Sequence, residues 1–345
     1  MDQEKKEQVK IYFYYPKKIE DASNIPEANN KWEGRKSGNY IWTVKTFGYL
    51  KKKGFQCYLT DNIPTHGIII THRDFFKNHM KPSSTQLFVC IIADTYRHPF
   101  AQLHIIQNQA DSISKRQNQW PSFFMQHWPE NGLIERAKNR NEQLINVSYF
   151  GSLKRLAPQL RSQDFKEKLR KMGFNWTIVP PNKWNDYSDT DVVLAVRSFT
   201  KMPFYKNPAS KLYNAWRAGV PAILGPESAY RSEGEHGINY IEVNTLPEVF
   251  QALTKLKEDK VFRNSIVTNG YQKAKKINSE TITERWMEFL NTIAIPAYHE
   301  WQIRNESERM GYFNIRNLEY KKFCIHDFIY RSFWAITKFL GGFKR

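Results

Sequence analysis

Asn207-Pro-Ala-Ser-Lys-Leu-Tyr-Asn-Ala-Trp-Arg-Ala-Gly-Val-Pro-Ala-Ile-Leu-Gly225 reads as a loop, a short helix and a buried strand in immediate succession. Pro208 and Ser210 stand where a helix begins, and Leu212, Ala215 and Trp216 fall on one apolar stripe. Gly219 ends the helix before the apolar run Pro221 to Leu224. The unpaired amides at such a helix start attract anions, and Lys211 adds a full positive charge beside them.

The residues before this stretch repeat the pattern. Val147 to Phe150 is read as a strand, Gly151-Ser152-Leu153-Lys154-Arg155 as a turn, and Gln163 to Met172 as a helix capped by Gly173. A strand, tight turn and helix in this order make a phosphate-facing corner, where Lys154 or Arg155 can reach an anion; on spacing alone the turn is equally a basic surface turn. Trp176 to Val179 and Val192 to Val196 supply two more strands, and Arg197 follows the second. Ligands of open α/β sheets bind at the carboxyl ends of the strands, so Arg197, Ser210, Lys211 and Asn214 are expected to border one crevice.

Ser210-Lys211-Leu212-Tyr213 followed by Ala218-Gly219-Val220-Pro221 resembles the nucleotide-diphosphate-binding segment of GT-B glycosyltransferases, roughly S-K-x-x-E-x-x-A-x-G-x-P. The resemblance implies two Rossmann-like α/β domains, a nucleotide-sugar donor and no cofactor. It places Lys211 near the diphosphate. At the position of the family's ribose-binding Glu this chain has Asn214, whose amide can still bond a hydroxyl without being a charged acceptor. The segment Gly225-Pro-Glu-Ser-Ala-Tyr-Arg-Ser-Glu-Gly-Glu-His-Gly-Ile-Asn-Tyr240 resembles the family's loop and helix near the donor sugar, which makes Glu227, Tyr230, Arg231 and Glu233 candidates for donor contacts.

The first half alternates in the same way without a G-x-G-x-x-G fingerprint. Strands are expected at Val9 to Tyr15, Phe55 to Thr60, Gly67 to Thr71, Leu87 to Ala93 and Leu103 to Gln107, with a helix over Gly38 to Lys53 ended by Gly54, together a parallel sheet. A polar stretch from Trp128 through Asn141 reads as the linker. The organisation expected is an acceptor domain over residues 1–135, a nucleotide-sugar domain over 146–295 and a helical segment over 296–345.

Glycosyl transfer needs its leaving diphosphate neutralised, and GT-B enzymes generally need no metal for this; Lys211, Arg197 and Arg155 are the candidates. An inverting enzyme also needs a general base on the first domain. Asp94 follows the run Leu87 to Ala93 at a strand's carboxyl edge, with Arg97 and His98 close behind, and His72 follows Gly67 to Thr71. Each of these also suits a turn-capping role. Retaining relatives often carry paired glutamates, of which Asn214 replaces one, so the stereochemistry stays open. Asp189-Thr190-Asp191 matches the D-x-D of metal-dependent enzymes but precedes its strand, so its carboxylates are expected away from the ligand edge.

Composition limits the alternatives. The chain has 345 residues, enough for two domains, with 41% hydrophobic and 15% aromatic residues. Cys57, Cys90 and Cys324 are too scattered for a disulfide framework or a zinc site, and the charged start Met1 to Glu7 is unlike a secretory signal; a cytoplasmic protein is expected. The net charge of +18 suits nucleic acid, anionic lipid or a polyanionic substrate. Nucleic-acid binding would call for a helix-turn-helix or an aromatic sheet platform, and neither is visible in the sequence, so no nucleic-acid partner is expected. A GT-B-like protein that binds a nucleotide sugar or glycan without turnover is the other alternative.

The tail, Asn317 to Arg345, interleaves Phe323, Ile325, Phe328, Ile329, Phe333, Trp334, Ile336, Phe339 and Leu340 with Lys321, Lys322, Arg331, Lys338, Lys344 and Arg345. It reads as an amphipathic helix, too charged to span a bilayer. Either it lies peripherally on an anionic membrane or it packs back on the first domain. The acceptor is expected to be a glycan, a lipid-linked molecule or a protein.

Overall fold

The computed structural model describes residues 8–18, 37–112, 120–200, 202 and 204–341. Met1 to Glu7, Lys344 and Arg345 lie outside these residues, as do the side chains at positions 331, 334, 335 and 337–341.

The first sheet is built from β1 (Ile11–Tyr14), β2 (Tyr58–Thr60), β3 (Gly67–His72), β4 (Gln86–Ile91), β5 (Leu103–Ile106) and β6 (Ser122–Phe124). Their order is β2-β1-β3-β4-β5-β6, and every pairing is parallel. A parallel sheet is covered on both faces, which is why β3 is buried at every position and carries the apolar run Ile68 to Ile70 at its centre. Helices α1 (Gly38–Tyr40) and α2 (Thr46–Lys52) run together through a π-helical turn, Ile41–Lys45, started by Ser37, whose hydroxyl accepts from the Tyr40 amide. A short helix, α3 (Gln109–Ser112), precedes β6.

The second sheet holds β7 (Asn146–Phe150), β8 (Asn175–Val179), β9 (Val192–Ala195), β10 (Ala222–Leu224) and β11 (Ile241–Glu242), in the order β11-β10-β9-β7-β8 and again parallel. Between the strands lie α4 (Gln163–Lys171), α5 (Ser210–Ala218) and α6 (Ser228–Glu233), and after them α7 (Leu246–Glu258) and α8 (Lys260–Lys275). Both sheets wind alike: the first strand of each sits between its second and its third. Each therefore has a switch point, β1 beside β3 and β7 beside β9, where the connections leave to opposite faces and open a crevice. The two-domain α/β class expected from sequence is the one observed.

Sequence decides the elements that matter here. Ser162 accepts from the Phe165 amide and starts α4. Gly219 ends α5 at φ 67°, a left-handed conformation that costs a glycine nothing, and the Tyr271 ring lies where a Cβ would stand. Asp191, just before β9, accepts from Arg136, Arg140 and the amides of Ile145 and Asn146. The D-x-D thus ties the linker to the second sheet, at the edge away from the crevice.

The chain returns to the first domain earlier than residue 296. In α9 (Ser279–Phe289), Trp286 packs on Phe13 and Phe289 on Phe123, both residues of the first sheet. Its start is a capping box of Asn278 and Thr281. The boundary therefore falls near Asn278, because the apolar face of α9 matches the first sheet's helix layer. A π-helical turn, Leu290–Ala294, leads to α10 (Ile295–Ile303) and then to the long α11 (Glu306–Gly341). Phe313 of α11 packs against Phe100 and Trp301, and Phe323 against Tyr96 and Trp120.

Candidate functional site

The β7/β9 switch point of the second sheet and the loops that follow β4 and β5 of the first face a cavity of about 940 Å³ between the domains. The first domain contributes Asp94 to Arg97 and Asp111, the second Arg155, Arg197 and the loop from Phe204 to Asn207, and α11 the third wall.

The second-domain wall is cationic. Arg197, directly after β9, is largely buried, and its Nε donates to Glu227 Oε2 at 2.9 Å. Glu227 is 2% exposed, and its other oxygen, also buried, has no hydrogen-bond partner among the described residues. Burial pushes its carboxyl up from the ordinary range, while Arg197 and Lys211 pull it back. Arg155 ends the single 3₁₀ turn Leu153–Arg155 after β7 and reaches into the cavity.

Ser210 and Lys211 open α5. No side chain caps this helix, so its first amides are available to an anion. The Lys211 side chain crosses the end of β7. A Cβ on Gly151 would stand 3.2 Å from Lys211 Cε and 2.7 Å from the Tyr149 hydroxyl, so the glycine clears the path. The Lys211 ammonium lies 5.8 Å from the centroid of the Tyr149 ring.

The opposite wall is the carboxyl edge of the first sheet. Asp94 leaves β4 through Ala93, a non-glycine residue at φ 45°, and this strained residue turns the carboxylate toward the second domain. Its Oδ2 lies 3.6 Å from Arg155 Nη2, with both side chains about half exposed. Beneath it, Arg97 and Asp111 form a buried ion pair at 3.3 Å.

Several residues named from sequence stand elsewhere. His98 is fully buried between Phe76, Phe88 and Phe100. Its Nδ1 accepts from the Phe100 and Ala101 amides and its Nε2 meets the Lys77 carbonyl at 2.8 Å, so it fastens a loop and cannot meet a substrate. Burial pushes it down to about 4, which keeps it neutral. His72 is also buried, with Nδ1 accepting from the Asp74 amide, and is not a cavity residue.

Asn214 is one turn along α5, hydrogen-bonded to Tyr187, whose ring stacks on Phe150 at 3.9 Å. Tyr230 is buried beneath Glu227 and Arg197. Arg231 grips Glu242 on the edge strand β11 with bonds of 2.6 and 2.7 Å, and Glu233 accepts from Gln126 at 3.2 Å; neither borders the cavity. Helix α6 turns these two residues away because its apolar side, Ala229 and Tyr230, packs inward.

Sequence reasoning missed the third wall. Lys322, Phe323, His326, Asp327 and Tyr330 of α11 line the cavity, and the Tyr96 hydroxyl donates to Asp327 at 2.9 Å. Lys322, His326 and Tyr330 recur every four residues, a polar ladder along one side of an aromatic-rich helix that was there to be read. Lys206 is the other omission: its ammonium sits 3.0 Å from the centroid of the Tyr96 ring, and Gln107 donates to its carbonyl at 2.9 Å, joining the domains.

No family profile matches the chain, and no curated protein does. Solved structures similar to it include Anabaena HepE in complex with UDP and glucose, 13% identical, covering 73% of this chain and 89% of that one at a TM-score of 0.46. Sucrose-phosphate synthase from Thermosynechococcus elongatus is 12% identical over 74% and 78%, with a TM-score of 0.47. The pneumococcal O-GlcNAc transferase GtfA in complex with UDP and GlcNAc is 10% identical over 73% and 60%, with a TM-score of 0.46. Similarity at this level leaves the activity to be argued from the cavity's own residues.

Proposed function

We propose that the protein is a glycosyltransferase that moves a sugar from a nucleoside-diphosphate sugar to a hydroxyl of a glycan, lipid-linked or protein-linked acceptor. One observation carries this reading: a cationic wall at the β7/β9 switch point faces Asp94, a half-exposed carboxylate, across a cavity large enough for a sugar nucleotide, while the other lining carboxylates, Asp111 and Asp327, are held by Arg97 and Tyr96.

The diphosphate is assigned to the start of α5, with Lys211 and Arg197 beside it and Arg155 closing from the β7 turn. These groups meet the charge that develops on the leaving phosphate oxygen without a metal ion. The acceptor hydroxyl attacks the anomeric carbon, the bond to the phosphate oxygen breaks, and Asp94 takes the hydroxyl proton. Glu227 accepts from Arg197 Nε and so fixes the guanidinium at the cavity wall.

A thermal-shift panel of UDP, GDP, TDP, CMP and their common sugar conjugates tests the assignment, since a ligand bound only by the folded state raises the melting temperature. A shift with one nucleotide class is expected. No shift with any of them, in folded protein, overturns the reading.

A further inference from the structure

Helix α11 has two apolar faces, and the described residues of the first domain cover only one of them. Phe313 and Phe323 are buried against the first domain, with Tyr312, whose hydroxyl donates to the Ala101 carbonyl at 3.2 Å, on the same side. Round the helix from them, Leu318, Ile325, Ile329 and Ile336 follow one another at steps of seven, four and seven residues and so form a single stripe. All four are exposed by 55% or more, and Phe328 and Phe333 on the stripe's flanks are 73% and 58% exposed. A helix needs one apolar face to pack on its own domain. A second one, with large aliphatic and aromatic side chains in water, marks a surface that is covered by something else.

We propose that this outer face of α11 docks on an anionic lipid bilayer. The charges around the stripe decide between the possible occupants. Lys321, exposed, flanks the stripe, Lys322 being a cavity residue, and the chain carries a net charge of +18. Pairing the stripe with that of a second copy would bring two strongly basic molecules together. An anionic leaflet accepts the side chains of the stripe among its acyl chains and Lys321 among its headgroups. No helix among the described residues is long and apolar enough to cross a membrane, so the helix lies in the surface. Because the same helix walls the cavity with His326 and Tyr330, docking brings that cavity to the lipid surface. The proposal stands on the stripe and its charges and holds whatever the cavity catalyses.

The test uses the full chain and co-sedimentation with vesicles of phosphatidylcholine alone or mixed with phosphatidylglycerol. Removing the tail is unsuitable because Phe313 and Phe323 are part of the first domain's core. Binding is expected to the anionic vesicles only and to be released by salt, and the pair Ile325→Glu and Ile329→Glu is expected to lower the partition coefficient roughly tenfold or more with an unchanged melting temperature. A polarity-sensitive dye on Ile329→Cys, in a Cys324→Ser background, is expected to shift to the blue with anionic vesicles alone; this readout needs no charged substitution and stands if the double variant fails to fold. The proposal is overturned if the wild-type chain ignores anionic vesicles at low salt. It is equally overturned if the folded double variant binds as the wild type does, or if the stripe instead holds two copies together, seen as a dimer that the double variant makes monomeric.

Discussion

Arg155 and Asp94 belong to different domains and meet across the cavity, Nη2 to Oδ2, at 3.6 Å. With both side chains about half exposed, the pair adds little to stability. Its value lies in what it couples. Under the proposed function, a diphosphate at the start of α5 would compete for Arg155, and a guanidinium turned to the phosphate would release the Asp94 carboxylate to take a proton. Donor binding and the arming of the base are then one event.

Asp94→Asn is therefore expected to leave the donor dissociation constant unchanged or lower, since Arg155 loses its competitor, while turnover falls roughly a hundredfold or more. Calorimetry and steady-state rates on the same preparation separate the two effects. A variant that keeps full turnover would remove Asp94 from the chemistry.

Gly151→Ala is expected to weaken donor binding without touching any charge. The new Cβ would meet the Tyr149 hydroxyl at 2.7 Å and Lys211 Cε at 3.2 Å, so the tyrosine has to shift and the lysine chain that crosses the same spot gives way with it. Displacing one charge-assisted phosphate contact raises the dissociation constant roughly tenfold, as does Lys211→Ala. Unchanged donor affinity in both variants would place the diphosphate elsewhere.

Acid is expected to destabilise the fold between pH 6.5 and pH 4. The buried His98 is pushed down to about 4, so through this window the unfolded chain binds a proton that the folded chain does not. Stability therefore rises with pH across the window and is lost as pH falls below 6.5, by up to about 3 kcal/mol for this one group. Melting temperatures across the window check it. The slope should be shallower in His98→Asn, and an equal slope would assign the loss to other groups.

Gly270→Ala is expected to destabilise although alanine is the better helix former. The gain in propensity is about 1 kcal/mol. The added Cβ would stand 2.5 Å from Cδ1 of Trp216, whose Nε1 donates to the Asn239 carbonyl at 2.7 Å and so resists displacement. Overpacking of this kind costs about 1–3 kcal/mol, leaving a net loss that denaturant titration reads directly.

The strands that border the cavity were legible because a buried parallel strand is a short apolar run, and α5 was legible because Gly219 ends it. That Arg197, Arg155 and Asp94 line one cavity agrees with the rule that side chains at the carboxyl ends of strands converge; Lys211, which the motif singled out, opens α5 and is not among the lining residues. What failed needed knowledge of which face each element buries. His98 follows a strand as a catalytic histidine would, yet the Phe76 and Phe88 rings close over it. Arg231 and Glu233 sit in the expected loop and helix, but α6 turns its other side inward. The polar ladder of the third wall was legible but what it faces was not, because α11 takes its place from Phe100, Tyr96 and Trp120, more than a hundred residues away.

The most direct measurement is release of nucleoside diphosphate from the sugar nucleotide that gives the largest thermal shift, followed in the wild type and in Lys211→Ala with water or a simple glycoside as acceptor. The account predicts slow release by the wild type, cut roughly tenfold or more by the substitution at a fixed subsaturating donor concentration. A donor that binds and is never cleaved, with any acceptor offered, would contradict catalysis and leave a protein that only holds its sugar nucleotide.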